Sequence, residues 1–135
     1  MADTKQHICR VGTARIDYRG QDGQLVLNTT VKSGSGIGAV FAPTWKMVMQ
    51  SKQGKISWDE YREQYTALMR QRYSASPENF LEALNGDELI LCCYCRDTSD
   101  TTKHCHRYLL VDILEKVAKH HEIGFEYIGE VYKSR

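Results

Sequence analysis

No charge of either sign dominates this chain. Lys and Arg number 18 against 17 Asp and Glu, a net charge of +1, so no global field draws it to nucleic acid or to an anionic membrane. No apolar run approaches the ~18 residues needed to span a bilayer. The first residues, Met1-Ala2-Asp3-Thr4-Lys5-Gln6-His7, lack the apolar core of a secretion signal. Internal repeats, linkers and low-complexity tracts are absent too. There is no workable disulfide framework: the five cysteines are an odd count, and Cys92, Cys93 and Cys95 crowd into four positions. That usage suits a reducing cytoplasm. What remains is a cytoplasmic globular chain of 135 residues, the size of one domain spanning 1–135.

The pattern along the chain alternates strands and helices. Ile8 to Tyr18 and Leu25 to Val31 are rich in strand formers. Gly20-Gln21-Asp22-Gly23 between them is a turn signal. Ser33 to Gly38 reads as a loop, and Pro43 as a first-turn residue of a helix reaching about Ser51. Ser57 with Glu60 three residues on makes a capping box. It opens a helix to about Arg72 in which Trp58, Tyr61, Tyr65, Leu68 and Met69 recur at helical spacing and read as core. Ser76-Pro77-Glu78 starts a short helix through Leu84. Glu88 to Cys95 is the near-continuous apolar run of a central parallel strand. His106 to His121 is an amphipathic helix, and Ile123 to Val131 a last strand. The expected fold is an α/β, Rossmann-like, three-layer sandwich on a mostly parallel sheet.

Chemistry concentrates where the central strand leads into the last helix. Four of the five cysteines lie between Cys92 and Cys105, together with His104, His106 and Arg107. Strand alternation sends Cys93 and Cys95 to one face and Cys92 to the other. Buried cysteines acting as small hydrophobes account for part of this. One alternative is a zinc site made by Cys93, Cys95, Cys105 and His106 or His104, although Cys-x-Cys is not the usual knuckle spacing. Another centres on Cys105. A thiol beside a helix start, next to His104, His106 and Arg107, favours the thiolate. Cys105 is then a nucleophile with His104 or His106 as base.

Arg107 falls in the first helical turn, where a cation opposes the dipole. An anionic ligand explains that placement, and so does a salt bridge to a carboxylate such as Asp17 or Asp97. Gly34-Ser35-Gly36-Ile37-Gly38 sits between a strand and a helix, the right context for phosphate, but it matches neither GxGxxG nor a Walker loop. A surface loop or lid reads equally well.

Several stretches together resemble a known family. They are Thr30-Val31-Lys32-Ser33-Gly34, Phe41-Ala42-Pro43-Thr44-Trp45, Trp58-Asp59-Glu60-Tyr61 with Tyr65, Leu91-Cys92-Cys93-Tyr94-Cys95, and Cys105-His106-Arg107. The chain looks like a member of the prokaryotic and phage family called domain of unknown function 488 (DUF488), over roughly residues 10 to 130. The resemblance implies a compact intracellular α/β fold and picks out Lys32, Thr44, Trp45, Cys105, His106 and Arg107. It brings no established activity. Related sequences often have Asp-Val-Thr where this chain has Asn28-Thr29-Thr30. If that aspartate acts as a base elsewhere, Asn28 cannot.

The leading expectation is binding of an anionic, nucleotide-like small molecule at the carboxyl ends of the strands. Arg107, the helix N-terminus, Lys32, Ser35 and Thr44 would hold it, and Trp45 or a tyrosine would pack on a ring. No cofactor is required. The alternatives are an enzyme acting through Cys105 and a zinc-stabilised interaction module.

Overall fold

A computed structural model describes residues 7–15, 18–30, 36–93 and 106–131. Four strands, β1 (Ile8–Arg15), β2 (Gln24–Asn28), β3 (Glu88–Cys93) and β4 (Gly124–Glu130), form one sheet in the order β2-β3-β1-β4. Every neighbouring pair is parallel. Between β2 and β3 run α1 (Ile37–Val40), α2 (Trp45–Lys52), α3 (Trp58–Ala75) and α4 (Pro77–Ala83). Between β3 and β4 runs α5 (His106–His120). This is the expected α/β, Rossmann-like sandwich, a parallel sheet flanked by helices.

The elements follow local rules. At the start of α3, the Ser57 hydroxyl accepts from the Glu60 N–H at 3.1 Å, and the Glu60 carboxylate accepts from the Ser57 N–H at 2.8 Å. That is the capping box read from the sequence. Tyr61, Tyr65 and Met69 are buried along the same helix. Several boundaries differ from expectation: β2 ends at Asn28, before Thr29 and Thr30, and α3 runs on to Ala75. Pro43 lies outside α2, because Thr44 takes the N-cap and its hydroxyl accepts from Met47 N–H at 3.1 Å. Gly36 and Ile37 leave the expected loop early to open the short helix α1.

Strand alternation divides the core. Cys9, Val11, Leu27, Leu89 and Leu91 join the buried faces of all five helices in the larger cluster. Ala14, Tyr18, Ile90 and Cys92 form a smaller cluster on the other face, with Val26 and Val131 against it. Cys92 thus sits on the face opposite Leu91, as period-2 alternation requires.

The path of α5 positions the site. The chain leaves β3 at its carboxyl end, and α5 crosses over β1 before β4 begins. The first turn of α5 therefore lies at the carboxyl edge of the parallel sheet, the usual location for ligands in open α/β folds.

Candidate functional site at the carboxyl edge of the sheet

The first turn of α5 carries two buried polar residues, His106 and Arg107. Arg107 is 0% exposed. Its Nη2 donates to the Glu130 carboxylate at 3.0 Å, and its Nη1 donates to Cys93 Sγ at 2.8 Å. Nη2 also lies 3.2 Å from the Tyr108 hydroxyl. A cation in a first turn opposes the helix dipole. Here Glu130, at the end of β4, supplies the compensating charge. Asp17 and Asp97, the carboxylates the sequence also offers it, lie outside the described residues.

Glu130 is the hub of this cluster. Its Oε1 accepts from the Thr13 hydroxyl at 2.6 Å and from the Tyr108 hydroxyl at 3.0 Å. Thr13 Oγ1 lies 2.8 Å from the Tyr127 hydroxyl. Thr13 is fully buried, while Tyr127 is 43% exposed at the sheet edge. Burial, partly offset by the Thr13 hydrogen bond, pushes the Tyr127 phenol above its usual range; Glu130 adds to the rise and Arg107 opposes it.

A bulge makes this convergence possible. Tyr127 and Glu130 are three residues apart, so simple alternation puts them on opposite faces. The β1–β4 register shifts between Val11 and Gly12, so that Val11 pairs with Tyr127 and Thr13 with Glu130. Both side chains then reach the same threonine. Gly129, at the bulge, has φ of 91°, which favours glycine.

His106 is held differently. Its Nε2 is 3.0 Å from both the carbonyl and the hydroxyl of Thr29, and that hydroxyl donates to the Cys92 carbonyl at 2.8 Å. A carbonyl can only accept, so Nε2 carries the proton. Burial lowers the imidazole pKa below its ordinary 6.5. Cys93 and the Thr29 bond pull it back up, and Arg107 adds to the lowering. The ring is therefore neutral, with only Nδ1 left as an acceptor.

The other sequence candidates divide. Lys32, Ser35, Cys95, His104 and Cys105 lie outside the described residues. Trp45 is 49% exposed at the start of α2. Thr44 caps α2 and lines a groove of about 560 Å³ between α2 and α3, with Met47, Gln50, Ile56, Gln64 and Leu68. That groove shares no lining residue with the Arg107 cluster. Asn28 Oδ1 accepts from both the N–H (3.0 Å) and the hydroxyl (2.7 Å) of Thr30. An aspartate would offer the same acceptor to these two donors.

Cys93, one of the four residues of the alternative zinc site, takes a hydrogen bond from a guanidinium. Among the described residues no group of three or more His, Cys, Asp or Glu is arranged to hold a metal. Among the same residues no helix is long and apolar enough to cross a membrane.

Sequence reasoning missed Thr13, Tyr108, Tyr127 and Glu130. Thr13 read only as a strand former, and Tyr127 and Glu130 only as part of a last strand. The available signal was a carboxylate close behind a helix whose first turn carries an unexplained cation.

Residues 2–118 match the family model DUF488-N3a, described as the active DUF488-N3 subclade. No curated protein and no solved structure matches the chain. The matched stretch runs from before β1 into α5, so β4 with Tyr127 and Glu130 lies beyond it.

Proposed function

We propose that this chain, which belongs to the DUF488 family through its DUF488-N3a subclade, binds an anionic, nucleotide-like small molecule at the carboxyl edge of its sheet. The observation that carries this reading is the fully buried Arg107 within a polar cluster drawn from β1, β3, β4 and α5. A buried ion pair is seldom the most stable way to fill a core, so its presence at a strand-end edge favours a functional role.

The roles follow from chemistry. The α5 N-terminus offers N–H groups and partial positive charge to an anion. Lys32 and Ser35, which follow β2 in the sequence, would add a cation and a hydroxyl. Arg107 is already matched by Glu130, so it orients the helix start and biases the local field. Trp45 offers an exposed ring for stacking. Thr44 gives its hydroxyl oxygen to the α2 cap and serves mainly to place that ring.

Titration calorimetry with nucleoside mono-, di- and triphosphates tests the reading. At least one should bind, and Lys32→Ala should weaken it. Heat flat across the whole panel at millimolar ligand would sink it.

The description of the subclade as active favours a second reading, an enzyme with Cys105 as nucleophile. His106 Nε2 is committed to Thr29, which leaves His104, or His106 through Nδ1, as the base. Cys9, Cys92 and Cys93 are buried, and burial, with Asp87 adding, pushes the Cys9 thiol up to about 11. On this reading a thiolate beside the α5 start makes Cys105 the fast site for iodoacetamide at neutral pH, ahead of Cys95 and of the three buried thiols. A rate no greater than that of an unperturbed thiol removes this reading.

A further inference from the structure

The hydroxyl protons of the cluster can be assigned by elimination. An ionised carboxylate has no proton to give, so Glu130 accepts every hydrogen bond it makes. Thr13 must therefore donate its proton to Glu130 across 2.6 Å. Its hydroxyl then has only lone pairs to offer the Tyr127 hydroxyl 2.8 Å away. Tyr127 donates to Thr13, and its phenol oxygen keeps acceptor capacity alone. The order Tyr127 to Thr13 to Glu130 is fixed from its buried end, because Glu130 is held by Arg107 at 3.0 Å.

Tyr127 is the most exposed member of this relay, at 43% against 0% for Thr13 and 11% for the Glu130 side chain. The buried carboxylate thus sets what the half-exposed phenol can recognise. It accepts from an N–H or O–H of a ligand and has nothing to donate.

We propose that Tyr127 is a specificity-determining residue of this site, selecting ligands whose ring carries an exocyclic amino group. This rests on the nucleotide-binding reading above and narrows it to amino-bearing bases. Thr13 and Glu130 are positioning residues, acting through the proton they withhold from the phenol.

The experiment compares adenosine monophosphate with purine riboside monophosphate, the same ring without the amine, by titration calorimetry on the full chain. The native protein should prefer the amino compound by about tenfold, the worth of one well-formed hydrogen bond. Tyr127→Phe, at a half-exposed position, should keep the fold and lose the preference. Thr13→Val frees the phenol proton and should shrink the preference while leaving Tyr127 in place. Equal affinity for the two compounds, or a preference that survives Tyr127→Phe, overturns the inference and leaves the nucleotide reading standing. Failure of both compounds and of the wider nucleotide panel to bind overturns the two together.

Discussion

Arg107 on the first turn of α5 and Glu130 at the end of β4 form an ion pair 3.0 Å long, with the guanidinium wholly buried and the carboxylate 11% exposed. The pair joins the helix start to the sheet edge. It also gives a first-turn cation the negative partner that the helix dipole withholds.

Removing one member strands the other. Arg107→Met should cost about 3 kcal/mol, because Glu130 is left charged in a nearly closed site. The double variant Arg107→Met with Glu130→Gln should recover much of that loss. Urea denaturation of the four species gives the coupling directly. Additive losses would mean that the two groups do not depend on each other.

The bulge in β4 should be sensitive to its glycine. Gly129→Val forces a branched residue to φ of 91° and should cost on the order of 1–3 kcal/mol. Gly86→Ala is the control, since a Cβ there meets nothing within 4 Å. Thermal unfolding should separate the two variants clearly, and equal melting temperatures would contradict the strained-bulge account.

Gly38 tests a different constraint. A Cβ at this position would lie 2.4 Å from the Asn28 carbonyl oxygen, a backbone atom that cannot rotate away. Gly38→Ala should push α1 off the end of β2 and lower stability by about 1–3 kcal/mol. Unaltered denaturation would show that α1 can shift at little cost.

His106 sets an acid limit. Its folded pKa lies below 6.5, chiefly through burial. Between the folded value and 6.5 the unfolded chain binds more protons, so stability falls as pH falls through that window. Above it the contribution is fully present. From about pH 7.5 to about pH 5, native protein should lose stability more steeply than His106→Gln. Parallel pH profiles for the two would show that this imidazole is not the responsible group.

Local signals were legible because they act within a few residues. Ser57 and Glu60 cap the helix they open, and the Tyr61, Tyr65 and Met69 stripe is buried as its spacing requires. The Cys92/Cys93 split follows from strand alternation alone. Thr44 shows the limit of such reading. The sequence marks it as a ligand contact, and the structure adds that its hydroxyl oxygen accepts from the N–H of Met47. Caps and ligand contacts draw on the same residue types, so sequence alone does not separate them.

The order of strands and helices, the parallel sheet and the interest of Cys105-His106-Arg107 were thus determined by the sequence, through periodicity, caps and composition. The partner of Arg107 was decided only by the tertiary structure. Glu130 lies 23 residues further on and reaches the arginine because α5 crosses β1 to deliver β4 to the sheet edge. One inserted residue in β4 then turns Glu130 and Tyr127 toward the same Thr13. Alternation read along the chain puts those two side chains on opposite faces. A bulge is a property of two strands paired together, and no single segment carries it.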